Sequence, residues 1–310
     1  MRVVVVSDLH VGSRVGLANQ DAAEVPGGDA GEPVRRALYE AWCEATSGPW
    51  AKPDALVVNG DAIDGQNRKS GGIGTWTTSL YEQAEHAVGL LKMWRAKRIY
   101  VIRGSGYHVE ASYSGLQVEE YIAQKLKAEE YPNQDHMPAE RRQRSGWHWY
   151  LHFDGVTFHF SHRIGVSKVF HYQSTPTARQ MLQAKLNDQL RHEMPRYKTD
   201  CVVRSHAHYY NSVEYSGSQG WVTPCWKALD EWMQSNGPLD ISPDIGFIGW
   251  SIRDGQYSYE KRLCDLTHFQ RAPLSVVGVG WRKSTAGVKT GRSGGRSRRT
   301  AKGKQGRTGS

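Results

Sequence analysis

Five short apolar runs in this chain each stop at a side chain able to hold a metal ion or move a proton. No other feature of the sequence constrains its fold as tightly. The first run, Val3–Val6, leads straight into Ser7, Asp8, Leu9 and His10. Four consecutive β-branched residues mark a strand buried on both faces, because a half-exposed strand alternates. In an extended chain residues i and i+2 share a side, so Asp8 and His10 are expected to project together from the strand's carboxyl end. Ala55–Asn59 repeats the pattern and ends at Gly60 and Asp61. Arg98–Ile102 ends in Arg103, Gly104, Ser105, Gly106, Tyr107 and His108. Val156–Ser161 ends in His162 and Arg163, and Cys201–Arg204 in Ser205, His206, Ala207 and His208.

The segments between the first three runs read as helices. Pro33 opens one over residues 34–46, with Leu38, Tyr39 and Trp42 on one face. Another covers 80–94, with Ala84, Ala87, Val88, Leu91 and Trp94 at core spacing. This βαβαβ start predicts a mostly parallel sheet whose ligands gather beyond the strand carboxyl ends. Further on, 116–128 and 176–192 read as helices, and 147–153 with 156–161 as a hairpin turned by Asp154 and Gly155. Residues 211–215, 246–252 and 256–262 are further strands, expected to be antiparallel. Residues 217–226 read as an aromatic-flanked loop. The long segment 11–32, which leaves the first ligand pair with little periodicity, is expected to contribute to a substrate rim.

One domain over residues 1–280 is expected, with loop insertions at 11–32, 64–76 and 129–146, followed by a tail at 281–310. The tail carries ten of the chain's 40 basic residues and no acid; the remaining 30 basic residues face 31 acids, so residues 1–280 are close to neutral. Poor in apolar residues, the tail cannot offset its chain entropy and is expected to be disordered. An arm of this kind would bind DNA or RNA through phosphates, without sequence preference. Cys43, Cys201, Cys225 and Cys264 are scattered without CxxC spacing, which argues for reduced thiols. No run approaches the roughly 18 apolar residues of a membrane span, and the chain starts on a strand with no signal-peptide layout. A soluble, cytoplasmic protein with no membrane partner is expected; oligomeric state is left open.

Mixed imidazole and carboxylate donors suit borderline divalent ions such as manganese, iron or zinc. A carboxylate shared by two ions holds them about 3.5–4 Å apart, the geometry of two-metal phosphoryl chemistry, and Asp61 is the natural bridge.

The ordered series Asp8-Leu9-His10, Gly60-Asp61, Gly104 to His108, His162 and His206-Ala207-His208 resembles the calcineurin-like metallophosphoesterase superfamily. Its pattern is DxH, GDxxD, GNH followed by an acid, an isolated H, and GHxH. The resemblance covers roughly residues 1–215, and 262 with the closing strands. It implies an α/β fold, a two-sheet mixed β-sandwich flanked by helices in four layers, α/β/β/α. It also implies that Asp8, His10 and His208 hold a first metal, that Asp61 bridges, and that His162 and His206 hold a second. Two divalent ions follow, with Mn2+ first and Fe, Zn, Ni or Mg as alternatives. The implied activity is hydrolysis of a phosphoester by a hydroxide that the two metals activate. His108 matches the histidine that stabilises or protonates the leaving group. Asp64 matches the last acid of GDxxD, which supports the site by hydrogen bonding.

Two positions depart from the pattern. The asparagine that ligates the second metal is missing: either Ser105 takes its place, with two residues inserted before His108, or Tyr107 does and the position is no ligand. Ser205 stands where glycine is common, a change expected to be tolerated. Arg163 is a candidate contact for a substrate phosphate. Trp221, Trp226, Trp232, Tyr209 and Tyr210 could stack bases, but core is the preferred reading. The basic tail favours a phosphodiesterase or nuclease. The alternatives are a phosphomonoesterase acting on protein or small molecules, and a non-catalytic nucleic-acid-binding protein with a degenerate metal site.

Overall fold

A computed structural model describes residues 1–20, 31–68, 71–109, 117–167, 169–190, 198–215, 217–230, 233 and 242–266. The tail read at 281–310 lies outside the described residues, as do Leu116, His192, Trp232 and His268. The described residues all belong to one compact unit within Met1–Ala272.

The chain forms two sheets. The first takes β1 (Arg2–Val6), β2 (Ala55–Asn59), β3 (Arg98–Ile102), the two-residue β4 (Ser145–Gly146), β10 (Ile245–Arg253) and β11 (Gln256–Cys264), in the order β11-β10-β1-β2-β3-β4. Its β1, β2, β3 and β4 are parallel neighbours, while β10 and β11 pair antiparallel. The second takes β5 (Trp149–Phe153), β6 (Val156–Phe160), β7 (Cys201–Arg204), β8 (Asn211–Tyr215) and β9 (Ser218–Val222), in the order β5-β6-β7-β9-β8. Here β6, β7 and β9 run parallel, with β5 and β8 antiparallel at the edges.

The period of two along β1 divides the core. Val4 and Val6 face an apolar layer with Leu56 and Val58, the helices α1 (Glu32–Ser47), α2 (Leu80–Lys92) and α4 (Val118–Lys125), and Trp42, Trp94 and Trp226. Val3 and Val5 face the other way, onto Phe158, Phe160, Cys201, Val203, Trp221 and Trp250, which fill the space between the sheets. Helix α5 (Thr175–Leu190) lies against β7, β8 and β9, closing the second sheet from outside. The four-layer α/β/β/α sandwich follows from these contacts.

One expectation is corrected. Residues 217–226 are not simply a loop, because β9 lies within the second sheet, between β7 and β8. Its sequence, Ser-Gln-Gly-Trp-Val, lacks a β-branched run. Gly220 is needed there because a Cβ would meet Met181 Sδ at 2.6 Å and Thr177 Cγ2 at 2.9 Å, where α5 presses on the strand. The first loop is partly packed down, although Arg14 and Gln20 are exposed, and residues 21–30 lie outside the described residues. Val11, Leu17 and Ala18 are buried, and the segment is bridged to Ile63, Thr75 and Lys227. The four cysteines are free thiols, and among the described residues no helix is long and apolar enough to cross a membrane.

Candidate metal centre

All five predicted strand ends open on the same edge of the sandwich: β1, β2 and β3 from the first sheet, β6 and β7 from the second. Their side chains meet there. His162 Nε2 lies 2.9 Å from Asp61 Oδ2 and 3.9 Å from Asp8 Oδ1. His208 Nε2 lies 3.2 Å from Asp8 Oδ1 and 3.1 Å from His10 Nε2, and His206 Nδ1 lies 3.9 Å from Asp61 Oδ2. Donor atoms close enough to share an ion fall into three groups: Asp8 with His10 and His208, His10 again with Asp64 and His108, and Asp61 with His162 and His206.

The backbone, however, is not extended at these residues. Asp8, His10, Asp61, His206 and His208 all have positive φ, between 46° and 73°. Asp8 and His10 therefore project together because a left-handed turn folds them back, and not because they share one side of an extended strand. Non-glycine residues in this region cost roughly 1 kcal/mol or more each, and such strain persists only where surrounding contacts enforce it. The contacts are present. Asp8 N donates to Gly60 O (2.9 Å), His10 N to Asp61 O (3.1 Å), Trp226 N to Asp8 O (3.0 Å) and Asp244 N to His208 O (2.9 Å).

A polar seam joins the two sheets beneath the ligands. His162 Nδ1 donates to Asn59 O (2.8 Å), which leaves Nε2 facing the carboxylates. Asn59 Nδ2 donates to Ser205 Oγ (2.6 Å), and Ser205 Oγ is bonded to Thr223 Oγ1 (2.7 Å). Ser205 is thus used in the seam, and a glycine there would leave Asn59 and Thr223 short of a partner.

The electrostatics are those of buried carboxylates and imidazoles crowded together. Burial alone would raise the Asp8 and Asp61 carboxyls; His162, with His208 for Asp8 and His206 for Asp61, outweighs it and holds both well below the usual carboxylate range. Burial would likewise depress His162, but Asp61 and Asp8 raise it to about 10. His10 moves the other way, lowered to about 3 by burial and by the Lys227 ammonium. The neutral ring donates from Nδ1 to Asp64 Oδ1 (3.0 Å) and keeps a lone pair on Nε2.

These residues fit divalent cations. Asp8 Oδ1, fully buried, accepts no hydrogen bond from a described group, although three imidazole nitrogens surround it. A buried acceptor left in this way is costly unless a cation completes it. The donors are mixed nitrogen and oxygen, the set that borderline metals take.

Ser105 and Tyr107 are separated by the structure. Ser105 is buried, and its N (2.7 Å) and Oγ (3.0 Å) both donate to Asp61. Tyr107 is 43% exposed, and its hydroxyl donates to Asn67. His108, on the short helix α3 (Gly106–Val109), stands edge-on to His10 with ring centroids 4.6 Å apart and donates from Nδ1 to Asp64 O (2.7 Å). Arg163 is exposed beside His162. Trp221, Trp226 and Tyr209 are buried, as the core reading held.

Two residues near the site were not singled out in the sequence. Glu119, on α4, accepts from Gly104 N and Ala62 N, tying together the loops that follow β2 and β3. Burial, with Asp61 nearby, pushes its carboxyl up to about 7. Its signal is an acid on the buried face of a helix, beside Val118 and Ile122. Lys227 pairs with Asp64 and is the one charge within the apolar stretch Trp221–Leu229.

No protein-family model and no curated protein matches the chain. Solved structures do. Wild-type Vps29 of Entamoeba histolytica complexed with Zn2+ is 12% identical, with 85% of this chain and 99% of that one covered and a TM-score of 0.39. An archaeal phosphodiesterase is 10% identical over 84% of this chain and 100% of its own, TM-score 0.38. A predicted phosphoesterase of Streptococcus pneumoniae is 11% identical over 84% and 97%, TM-score 0.33.

Proposed function

We propose that this chain is a metal-dependent phosphoesterase of the calcineurin-like metallophosphoesterase type. One observation carries the reading: two donor groups, Asp8/His10/His208 and Asp61/His162/His206, each with two buried members and one partly exposed histidine, converge within 4 Å of each other between the carboxyl ends of two sheets. Asp8, His10 and His208 would hold one divalent ion, Mn2+ in the first instance, and His162 and His206 a second, with Asp61 between them. Asp8 Oδ1, 3.9 Å from His162 Nε2, shares that central position. Bound divalent ions would supply Lewis-acid charge to phosphoryl oxygens and acidify water.

The chain's own residues do the rest. The left-handed turns hold the donors before any ligand arrives, which removes reorganisation cost at the reacting centre. His108 is fixed by its Nδ1–H bond to Asp64 O, so Nε2 is the atom left to give a proton to the leaving oxygen. Ser105 donates to Asp61 and so steadies the central carboxylate, occupying the asparagine position as a support. The second ion then has fewer protein donors than the first and is bound more weakly. Phosphodiesters, including nucleic acid, are the proposed substrates, on the strength of the ten basic residues at 281–310. Arg163, exposed beside His162, is the proposed contact for the substrate phosphate.

The test is hydrolysis of bis-p-nitrophenyl phosphate and p-nitrophenyl phosphate with Mn2+. We expect turnover of the diester, and a fall in kcat of about 10²–10⁴-fold in His108→Ala. Hydrolysis of the monoester alone would overturn the diesterase assignment. Absence of turnover on both, with less than one ion bound per chain, would overturn the enzyme.

A further inference from the structure

Lys227 lies outside every block of the ligand series and yet is wired to its first member. It sits in the turn after β9, buried, and its ammonium donates to Asp64 Oδ1 (3.2 Å) and pairs with Asp230 Oδ2 (2.8 Å). The same Asp64 oxygen accepts from His10 Nδ1 at 3.0 Å. A continuous relay, Asp230–Lys227–Asp64–His10, therefore ends at the atom that faces His208 and Asp8. The backbone clamps the turn onto the first ligand loop through Trp226 N to Asp8 O and Ala228 N to Val15 O.

A buried lysine is expensive to keep without partners, and this one has two carboxylates. Its effect on Asp64 is geometric. With an ammonium and an imidazole N–H converging on one oxygen, the carboxylate has a single satisfied rotamer. Asp64 must then accept from His10 Nδ1, which fixes the tautomer and aims Nε2 into the centre.

We propose that Lys227 is a positioning residue of the metal centre, holding Asp64 in the rotamer that presents His10 Nε2 as a ligand. The inference rests on the metal-binding reading above. It is distinct from catalysis, since Lys227 touches Asp64 but no member of the two groups proposed to hold the ions.

The experiment is a Co2+ titration of the full-length chain, followed by visible absorbance and equilibrium dialysis, in wild type, Lys227→Met, Asp64→Asn and the double variant. Lys227→Met is expected to weaken the tighter class of Co2+ by about tenfold or more, the range seen when a ligand's support is removed, and to shift its absorbance bands. In the Asp64→Asn background the same substitution should add less than twofold, because the relay is already cut. Should Lys227→Met fail to fold, Lys227→Gln, which keeps an N–H donor without the charge, is read by the same criteria. Wild-type affinity and spectrum in the Lys227 variant would overturn the inference alone, as would additive losses in the double variant. A wild-type chain that takes up no Co2+ would overturn the metal centre and this inference with it.

Discussion

Substituting Gly104 with alanine tests whether the central carboxylate is held by close packing. A Cβ at Gly104 would overlap Asp61 Oδ1 and the Asp61 amide nitrogen, and would lie 3.0 Å from Asp61 Cα. These neighbours are backbone and a locked carboxylate, so no flexible side chain can swing clear. Overpacking of this kind costs about 1–3 kcal/mol. Relief by moving Asp61 would give up hydrogen bonds from Ser105 N and Oγ, each of them to a charged group and so about 1.5–3 kcal/mol. Relief by moving the Gly104 loop would instead break its bond to Glu119. The expected loss is therefore about 3–5 kcal/mol, a large share of the 5–15 kcal/mol that holds a domain together. Urea unfolding followed by tryptophan fluorescence, in EDTA, reads this directly as a lower midpoint at unchanged slope. A loss below about 1 kcal/mol would refute the packing argument.

Gly89 supplies the opposite case: it is exposed within α2, and a Cβ there meets nothing within 4 Å. Gly89→Ala should stabilise the chain by about 0.5–1 kcal/mol in the same unfolding assay, through helix propensity and reduced unfolded-state entropy; a loss of stability would contradict the placement of that helix face. His159 should make stability fall in mild acid. It is buried, stacks on Tyr150 at 4.2 Å and accepts from Arg204 Nη2 at 3.2 Å; burial, then Arg204, lowers it to about 2. A depressed folded-state value means that only the unfolded chain takes up the proton below about pH 6.5, so this contribution is complete above 6.5 and shrinks as pH falls. Between pH 6.5 and 5 it amounts to about 2 kcal/mol. The difference in unfolding free energy between wild type and His159→Gln, measured at both pH values, isolates it, and a difference independent of pH would refute the assignment.

The parts of the fold legible in the sequence are those where one residue type does one job. Val3–Val6 and Ala55–Asn59 read as buried strands because β-branched runs have few other uses, and the structure places them at the centre of the first sheet. The Asp and His cluster was legible because these residue types at successive strand ends have a shared chemistry, and the structure brings them together. β9 was hidden, since a strand containing Ser218, Gln219 and Gly220 owes its place to α5 and β7 and little to its own propensity. The left-handed turns at Asp8, His10 and Asp61 were hidden for a related reason: glycine announces such a turn, while aspartate and histidine adopt it less often and here have contacts from elsewhere to hold it. Glu119 and Lys227 became visible only once partners distant in sequence were brought alongside, as with Asp64 and Lys227.

The donor set is split across the seam between the sheets, with Asp8, His10 and Asp61 on one side and His162, His206 and His208 on the other. On the metal-centre reading, neither half of the chain supplies both donor groups alone. The pairing of Asp8 with His208 closes a loop of almost two hundred residues, among the last events in a folding reaction that proceeds from local to distant contacts. A cation gripped by both sheets would therefore be a late arrival that seals the finished sandwich, with no part in templating early folding. Loading with metal should slow unfolding far more than it speeds refolding, so ions bound there would act as a latch on the native state.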